Sequence, residues 1–361
     1  MTSILSIGTA VPPFRHSQTD ILRFMQQVYG LDAVEERKLR FLYQSSGIRD
    51  RYSVIPDYSI EKEEWQFYPR SATLEPFPTL EDRMNCYNRY AAPLAVAAIR
   101  DCLDRTGDDA RDITHLITVS CTGMSAPGLD LELMDLLGLA NHIQRTSVNF
   151  MGCYAAVHAM KIADAICRSD QEARVLIVCV ELCTLHFQKE PSPDNIAASL
   201  LFGDGAAAML LGTRGAATGW MINGFYSEVV PAGKKDMAWE LSSSGFLMTL
   251  SGYVPDLIQA DFGPFMQRAL GKYGSVQSGI EAWCIHPGGK RILQAIEKSL
   301  GLGPSKLEAS YEVLNRYGNM SSATILFVLQ ELLQQSLSGK ILGAAFGPGL
   351  TMETFCLESA N

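Results

Sequence analysis

Short runs of Val, Ile and Leu alternate with longer segments of helical spacing through most of this chain. One such run covers residues 113–120, a helical segment follows at 131–137, and another apolar run covers 174–180. Runs that are apolar throughout are typical of strands buried on both faces, because such strands lie in sheets that helices cover on each side. The alternation therefore predicts an α/β fold with largely buried strands.

A weak internal duplication indicates how these elements are arranged. A helical segment that begins at Cys153 is followed by an apolar run near Arg174. A second helical segment begins after Asn319 and is followed by an apolar run near Ile341, at almost the same interval. This repeat predicts two halves of similar structure.

The length of the chain agrees with two halves. With 361 residues the chain is too long for one small core. Glycine and small polar residues interrupt the pattern of apolar runs at 213–219. We therefore predict an N-terminal half of residues 1–215 and a C-terminal half of residues 216–361.

Cys153 lies between a strand-like run that ends at Phe150 and a small-residue run of helical spacing. A strand that turns into a helix through glycine points the next side chain away from the backbone, and the free N–H groups of the first helical turn favour negative charge there. A thiol at such a turn is expected to ionise more easily than one elsewhere. The alternative for Cys153 taken alone is packing in the core, where free cysteines are common.

Two further turns of the same kind follow downstream. His286 ends a short apolar strand and precedes Pro-Gly-Gly and an amphipathic run, and Asn319 lies just ahead of an apolar run of helical spacing. Proline suits the start of a helix, and glycine lets a ligand approach the backbone. Taken alone, His286 has a hydrogen-bonded structural role as its alternative, and Asn319 has that of an N-cap or turn residue.

Cysteine, histidine and asparagine at the starts of three helices form a set that suits acyl transfer through a thioester. The imidazole can hold the thiolate as an ion pair, and the imidazole N–H and the amide NH₂ can both donate to an oxygen that becomes negative. Five motifs extend this set along the chain: Gly152-Cys153-Tyr154-Ala155, Leu201-Phe202-Gly203-Asp204-Gly205-Ala206, Ile285-His286-Pro287-Gly288-Gly289, Gly318-Asn319-Met320-Ser321-Ser322 and Phe346-Gly347-Pro348-Gly349. In these motifs, in their order and over nearly its whole length, the chain resembles the type III polyketide synthases, the chalcone synthase-like branch of the thiolase superfamily.

The resemblance implies a fold, a reaction and partners. The fold is a thiolase-like α/β fold, with two similar halves stacked as five αβαβα layers. Cys153 would accept the acyl group of an acyl-CoA starter, while His286 and Asn319 would hold the thioester oxygen of malonyl-CoA as it loses carbon dioxide. Repeated condensation would then extend the chain, and coenzyme A thioesters serve as substrates without a metal, nicotinamide or flavin cofactor. A homodimer is also implied, with Ala126 near the cavity of the second protomer.

Several substrate-binding positions of the family can be carried over to this chain. Phe202 matches an aromatic gatekeeper beside the decarboxylating malonyl group, with a place in the core as the alternative. Met248 matches a second gatekeeper by its spacing from the following Val-Pro pair, and methionine there predicts a more adaptable pocket than phenylalanine. The resemblance also implies a substrate-binding role for Ser321 in the asparagine motif.

Three departures from the plant pattern resemble the microbial enzymes that extend fatty acyl starters into alkylpyrones or alkylresorcinols. Cys183 stands where plant enzymes have threonine, Trp239 stands where they have glycine, and the segment 121–128 is shorter. The alternative for Cys183 is a packed core thiol. We predict a tunnel for an aliphatic chain that is lined by Cys183, Thr122, Met124 and Met248.

The charge of the chain restricts its partners. A net charge of -9 argues against a nucleic-acid partner, which requires a basic face. An anionic substrate therefore needs a local basic patch, and the best candidate is residues 35–40 with Arg49 and Arg51 close behind. The alternative for this basic segment is a solvated helix face.

Within this basic segment, Lys38 matches a phosphate-contacting lysine near the coenzyme A entrance of the family. Other basic positions of the family pattern are occupied here by Phe41 and Ser45. The resemblance therefore implies coenzyme A binding near Lys38 but leaves the phosphate contacts open.

Cysteine usage and the N-terminus bear on where the protein works. The nine cysteines include no closely spaced pair of the CxxC type, which argues against a disulfide framework and a structural zinc site. Residues 1–8 lack the basic region and cleavage site of a secretory signal and are expected to form a first strand. No apolar run approaches the length of a membrane span. We predict a reduced, cytoplasmic enzyme that does not insert into membranes.

Two other functions stay open at this point. A β-ketoacyl synthase III-like enzyme would share the fold and the residue types but make a single extension on an acyl carrier protein. His-Pro-Gly-Gly, Asn-Met-Ser-Ser and Phe-Gly-Pro-Gly argue against it. The second alternative is a non-catalytic acyl-CoA-binding homologue, against which the complete Cys, His and Asn set argues.

Overall fold

The computed structural model describes residues 1–213 and 219–360, so the boundary predicted between residues 215 and 216 lies outside the described residues. Strands and helices alternate along the chain as predicted. The strands are β1 (Ser3–Ala10), β2 (Phe14–Ser17), β3 (Asp50–Ser53), β4 (His115–Ser120), β5 (Gln144–Asn149), β6 (Arg174–Leu182), β7 (Asp204–Gly212), β8 (Trp220–Val229), β9 (Met237–Ser242), β10 (Gly245–Leu250), β11 (Ala282–Ile285), β12 (Lys340–Gly347) and β13 (Thr351–Ser359). The α-helices are α1 (Gln18–Tyr29), α2 (Ala33–Ser45), α3 (Leu80–Asp104), α4 (Leu129–Leu137), α5 (Ala155–Ser169), α6 (Pro193–Leu201), α7 (Val254–Lys272), α8 (Lys290–Leu300), α9 (Glu308–Tyr317) and α10 (Thr324–Leu333).

Nine strands form one sheet in the order β11-β12-β13-β8-β1-β7-β6-β4-β5. Strands β1 and β8 share only the pairs Ser3 with Met221 and Ile4 with Trp220, so the sheet consists of two half-sheets that meet at this contact. In the N-terminal half-sheet, β6 pairs with β4 in parallel and with β7 antiparallel. In the C-terminal half-sheet, β12 pairs with β11 in parallel and with β13 antiparallel. The halves therefore have the similar structure that the duplication predicts.

Alternate side chains of each half-sheet face different helical layers. Ile177 of β6 and Ile341 of β12 both face a central core that contains α5 and α10. Val178 of β6 packs on the other side against α3 and α1, and Leu342 of β12 packs against α7 and α8. The order of layers is thus helix, sheet, helix, sheet, helix, which confirms the predicted thiolase-like αβαβα fold.

The middle helices are the elements that position the site. Helix α10 is apolar around most of its circumference because it lies between the two half-sheets. Helix α5 carries alanine on its buried faces, which lets both sheets approach it closely. The same number of residues separates Cys153 from Arg174, where β6 begins, as separates Asn319 from Lys340, where β12 begins. Among the described helices, none combines the length and apolar character needed to cross a membrane.

Candidate active site

The three predicted turns meet at one cavity. Cys153 lies in the 3-10 turn Gly152–Tyr154 before α5, His286 directly follows β11, and Asn319 precedes the 3-10 turn Ser321–Ala323 before α10. The first and last of these turns contact each other. All three side chains line a cavity with about 1230 Å³ of unfilled space, part of which is open to solvent.

The amide of Asn319 is oriented by its hydrogen bonds. Its Oδ1 accepts from the backbone N–H of Ser321 at 2.9 Å, and its Nδ2 donates to the carbonyl of Gly288 at 3.3 Å. The Sγ of Cys153 lies 3.9 Å from this Oδ1. Because an amide nitrogen carries two hydrogens, one N–H of Asn319 is left to donate into the cavity.

The backbone on either side of Asn319 is also fixed. Its N–H donates to the carbonyl of Leu201 at 2.9 Å, and its carbonyl accepts from the N–H of Gly203 at 3.0 Å. These bonds form a short parallel bridge between Phe202 and Asn319. The predicted gatekeeper Phe202 and the amide of Asn319 are therefore held together by the main chain.

The imidazole of His286 is buried, and within the described residues neither ring nitrogen has a hydrogen-bond partner. Burial lowers the pKa of His286 to about 3, because a lone imidazolium in this site lacks solvation. A buried polar group without a partner is costly, which suggests a site that a ligand completes. The ring is therefore free to hydrogen-bond with a bound molecule.

Burial has the opposite effect on the pKa of the Cys153 thiol. Burial in the cavity wall raises the pKa of Cys153 to about 12, and this outweighs the hydrogen bonds from Ser321 and Asn319 that lower it. The sequence predicts an easily ionised thiol from the helix start alone. The structure shows that burial opposes a lone thiolate at this turn, so ionisation needs a nearby positive charge.

Backbone strain is concentrated around these turns. Phe150, Ser321 and Leu350 have φ values of 57°, 48° and 47°, a left-handed conformation that residues with side chains rarely adopt. Each of them lies in or close beside one of the five motifs that carry the resemblance. Such strain persists only where the surrounding structure enforces it, and it is frequent at functional sites.

Gly152 allows two motifs that are distant in the sequence to pack against each other. It has a φ of 75°, and a Cβ on it would lie 2.1 Å from Cδ of Pro348 in the Phe-Gly-Pro-Gly motif. Glycine is therefore required both for its conformation and for the close approach of Pro348 to the turn that carries Cys153. This packing fixes one wall of the cavity, since Cys153 and Pro348 both line it.

Replacing Gly152 by alanine is expected to lower the free energy of unfolding by at least ~3 kcal/mol, from the left-handed conformation and the clash with Pro348 together. Gly107→Ala is the matched control, because Gly107 has a φ of 70° but a Cβ on it would have no other atom within 4 Å. The control should lose only ~1 kcal/mol. Urea denaturation of both variants measures the difference, and equal losses would show that the contact with Pro348 is unimportant.

Most predicted substrate-binding residues lie at this cavity. Phe202, half-buried, faces it rather than the core, and Cys183 lines it although the thiol is almost fully buried. The predicted residues that line the cavity are Phe202, Met248, Cys183, Thr122, Ser321 and Trp239.

Three other predicted residues have surroundings that differ from those of this group. Met124 is 45% exposed and does not line the cavity within the described chain, so its predicted place in the tunnel is not reproduced. Lys38, which is predicted to lie near the coenzyme A entrance, lines a neighbouring groove. Arg51 is buried rather than part of a surface patch, and its Nη1 donates to the carbonyls of Ser199 and Phe202 at the end of α6. Arg51 thus stabilises the end of a helix that forms a cavity wall.

The β-hairpin formed by β9 and β10 closes one side of the cavity. It is held there by aromatic contacts that the sequence did not predict. The ring of His186 stacks on Phe246 of β10 with centroids 4.3 Å apart, and its Nδ1 accepts from the Phe246 N–H at 3.1 Å. Its Nε2 therefore carries the hydrogen and donates to the carbonyl of Thr122 at 2.7 Å. Trp239 of β9 donates through Nε1 to the carbonyl of Cys121 at 2.6 Å. The hairpin is thus fastened to segment 121–122, and Trp239 fills space beside the cavity.

Glu181 is a second residue that the sequence did not single out. It is fully buried at the end of β6, and its Oε2 accepts from the N–H of Cys121 at 3.0 Å and from Oγ1 of Thr122 at 2.9 Å. Its Oε1 accepts from the hydroxyl of Ser322. Burial raises the pKa of Glu181 to about 7 in spite of these bonds. Glu181 therefore links two walls of the cavity behind Cys153.

The shifted pKa of Glu181 predicts a pH dependence of stability. Because the folded carboxyl has a pKa of about 7 against the usual 4.5, the folded state keeps a proton that the unfolded state releases. Stability should therefore fall as the pH rises from 4.5 to 7, and the contribution of this group amounts to ~3 kcal/mol. Urea denaturation at pH 5 and pH 8 tests this. Glu181→Gln should lose less stability over this range than the native protein, and an unchanged pH dependence would contradict the shifted pKa.

Comparison with known proteins agrees with this geometry. The family model "Chalcone and stilbene synthases, N-terminal domain" matches residues 1–215, and the corresponding C-terminal domain matches residues 223–361. "Type III polyketide synthase C" of Arabidopsis thaliana is 31% identical over 99% of this chain and 95% of its own length. "Alpha-pyrone synthesis polyketide synthase-like Pks18" of Mycobacterium tuberculosis is 29% identical over 97% of this chain and 89% of its own length.

Longer relatives and solved structures show the same similarity. "Probable polyketide synthase 1" of Dictyostelium discoideum is 30% identical over 99% of this chain, which spans 11% of that protein's length. The crystal structure of PKS-I from the brown alga Ectocarpus siliculosus superposes with a TM-score of 0.92 at 28% identity, and the match covers 99% of this chain and 98% of that one. Both family domains, matched in order over almost the whole chain, show that this protein belongs to the chalcone and stilbene synthases and is an acyltransferase of the type III polyketide synthase class.

Proposed function

We propose that this enzyme loads a fatty acyl group from its CoA thioester on Cys153, extends it repeatedly with malonyl-CoA and cyclises the product to a pyrone or a resorcinol. The family uses acyl-CoA and malonyl-CoA substrates. The observation that carries the proposal is the meeting of Cys153, His286 and Asn319 at one largely apolar cavity. The Mycobacterium tuberculosis relative, whose name specifies alpha-pyrone synthesis, supports the pyrone as product.

Loading begins with ionisation of Cys153. Burial opposes either charge alone, but a proton passed from Cys153 to His286 creates two opposite charges in one cavity, and their attraction offsets that cost. The unpartnered ring nitrogens of His286 leave the imidazole free to take this proton. The thiolate then attacks the starter carbonyl, the C–S bond to coenzyme A breaks, and the acyl group stays on Sγ as a thioester.

This ion pair predicts how alkylation of Cys153 depends on pH. In the native enzyme, iodoacetamide should react with Cys153 at neutral pH, because His286 supplies the positive charge. His286→Ala lacks this positive charge, so the pKa of Cys153 stays raised by burial. The reaction should then require alkaline pH, which peptide mass spectrometry over a pH series measures. Identical pH profiles for the two proteins would exclude the ion pair.

Extension depends on His286 and Asn319. The thioester oxygen of malonyl-CoA would accept from the imidazole N–H and from the free amide N–H of Asn319. Loss of carbon dioxide leaves an electron pair that becomes an enolate, so negative charge grows on this oxygen. Both donors therefore stabilise the transition state more than the ground state. The enolate carbon attacks the acyl thioester, and the Cys153 thiolate leaves.

The lining of the cavity supports an aliphatic starter. Cys183, Met248 and Trp239 present sulfur, thioether and indole surfaces, and few charged groups line the space around them. Methionine adapts its shape readily, which suits chains of varied length. The proposed chemistry also needs no metal or redox cofactor, because hydrogen bonds hold the developing charge.

We also propose a homodimer formed through the free edge of β5. Among the strands of residues 1–213 and 219–360, β5 pairs with β4 alone and is the last strand of the sheet, and most of its side chains are exposed. An unpaired edge of this kind is a template for pairing with a second chain. Met124 and Ala126 are exposed on the loop after β4 and would be covered in such a dimer. Sedimentation velocity tests this, because a particle at the chain mass of 39.6 kDa would exclude the dimer.

The proposed function is tested with malonyl-CoA and a series of acyl-CoA starters from acetyl to long-chain fatty acyl. Mass spectrometry should detect triketide or tetraketide pyrones or resorcinols, with the highest yield from fatty acyl starters. Single-extension products, or products that form only with an acyl carrier protein, would favour a β-ketoacyl synthase III-like activity. Absence of turnover with every starter and carrier would favour the non-catalytic homologue.

A further inference from the structure

Helix α2 packs on the molecule through a narrow strip. Its buried residues are Leu39 and Tyr43, which lie one turn apart. Because successive residues of an α-helix are about 100° apart, Phe41 lies on the side opposite this strip. Phe41 is 68% exposed, and Val34, two turns earlier on the same side, is 50% exposed. The face of α2 that lies away from the core is therefore apolar at its centre, where a surface helix normally carries polar residues.

Cations surround these two apolar side chains. Arg37 and Lys38 are exposed between Val34 and Phe41, at the spacings of three and four residues that bring side chains together on a helix. Arg40 is exposed on one flank. In the part of the chain that the structure describes, no salt bridge involves any of these three cations. The outer face of α2 thus combines apolar surface with positive charge that no ion pair neutralises.

The acids of α2 lie toward its start and its inner side. Asp32 accepts through Oδ1 from the N–H groups of Val34 and Glu35 at 2.8 and 2.9 Å, and Glu35 accepts from the N–H of Asp32 at 3.3 Å. Glu36 is half-buried and lies three residues before Leu39, on the side nearer the core. The outer face is therefore basic although the chain has a net charge of -9. A local field of this sign attracts an anionic surface.

A second exposed ring lies close to α2 in space. Tyr253, at the start of α7, is 72% exposed. Its neighbours Gly252 and Val254 line the same groove as Lys38 and Leu42 of α2. Two separate elements beside one groove therefore each present a large aromatic side chain to the outside.

We propose that this outer face of α2, together with Tyr253, binds the surface of an anionic lipid membrane. The residues of this α2 face are Val34, Arg37, Lys38, Arg40, Phe41 and Tyr253. Aromatic and aliphatic side chains suit the boundary between headgroups and acyl chains, and lysine and arginine attract anionic headgroups. The helix would lie on the membrane without crossing it. A second copy of this chain is a poor partner, because a symmetric contact would bring the cations of two α2 helices together.

Membrane binding through the α2 face has a consequence for the substrate. The groove beside α2 shares part of its lining with the catalytic cavity. Binding would turn this groove toward the membrane, where compounds with long acyl chains dissolve. This consequence rests on the proposed function, which supplies the fatty acyl starter, whereas the lipid contact itself does not depend on that function.

The test measures co-sedimentation of the full chain with vesicles of phosphatidylcholine, either alone or mixed equally with phosphatidylglycerol. The native protein should bind the anionic vesicles at least ~10-fold more tightly than the neutral ones, and added salt should reduce this difference. V34S/F41S removes apolar side chains and R37A/R40A removes cations from the α2 face. Each double variant should bind the anionic vesicles at least ~10-fold more weakly than the native protein.

Matched controls carry the same kinds of change elsewhere on the surface. L136S/V276S removes apolar side chains that are 54% and 65% exposed, and K298A/K306A removes two exposed cations. Both controls should bind vesicles as the native protein does, and circular dichroism shows that all four variants are folded.

Three results would overturn the membrane contact. They are equal binding of neutral and anionic vesicles, equal binding by the α2 variants and their controls, and binding of α2 to an acidic carrier protein without binding to vesicles. Vesicle binding by a protein that makes no polyketide would support the contact while the proposed function fails. Polyketide formation without vesicle binding would overturn the contact alone.

Discussion

Replacing Cys153 by alanine is expected to abolish polyketide formation, with a loss of at least ~10⁴ in kcat, while decarboxylation of malonyl-CoA stays measurable. The starter cannot be loaded without Sγ, so every condensation is blocked. The donors to the malonyl thioester oxygen, His286 and Asn319, are untouched by the substitution. Loss of carbon dioxide should therefore continue and give acetyl-CoA.

Two assays separate these steps. Mass spectrometry measures polyketide products, and release of labelled carbon dioxide from malonyl-CoA measures decarboxylation. Cys167→Ala is the control, because Cys167 is buried on the same helix α5 but does not line the cavity. The control should retain both activities. Polyketide formation by Cys153→Ala would show that another group carries the acyl chain.

The three candidate side chains could be predicted from the sequence because each lies just ahead of a helix, Cys153 and His286 after a strand and Asn319 after α9. That local pattern sets the direction of Cys153, His286 and Asn319 before any tertiary contact is considered. Their meeting needed the further knowledge that the two halves are similar and stack with α5 and α10 in one layer. The duplicated interval in the sequence carried this information.

Residues that act through distant contacts could not be predicted in the same way. Glu181 appears in the sequence as the polar end of an apolar strand, and only the folded chain brings Thr122 and Ser322 to it. Arg51 reads as part of a basic surface segment, yet it is buried and binds the carbonyl of Phe202. Charge patterns predict exposure on average, but single buried cations depend on partners far along the chain.

The pocket shows a similar division. Phe202 and Met248 follow local motifs, and both line the cavity. Met124 lies on the loop after β4, and the direction of that loop depends on packing that no local pattern encodes. Likewise, the stacking of His186 on Phe246 joins two segments that carry no common motif. Local sequence patterns therefore predict which residues lie at the starts of helices, whereas the positions of loop and hairpin residues depend on contacts far along the chain.

Asn319→Ala should lower malonyl-CoA decarboxylation by ~10²–10³, because one of two donors to the developing enolate oxygen is removed. The substitution leaves the backbone bonds of residue 319 to Leu201 and Gly203 in place. The fold around Cys153 should therefore persist, and alkylation of Cys153 at neutral pH should still occur. Loading of a starter, which does not involve the malonyl oxygen, should be less affected than decarboxylation.

The measurement compares the rate of carbon dioxide release with the rate of acyl-enzyme formation, which intact-protein mass spectrometry follows. Asn223→Ala serves as control, because Asn223 is a half-buried amide of β8 outside the cavity. A similar loss of loading and decarboxylation in Asn319→Ala would assign the amide a structural role, through its bonds to Ser321 and Gly288. A selective loss of decarboxylation would instead place the free N–H on the enolate oxygen. The two outcomes differ because loading and decarboxylation develop charge at different carbonyl oxygens, and only the malonyl oxygen is expected to contact Asn319.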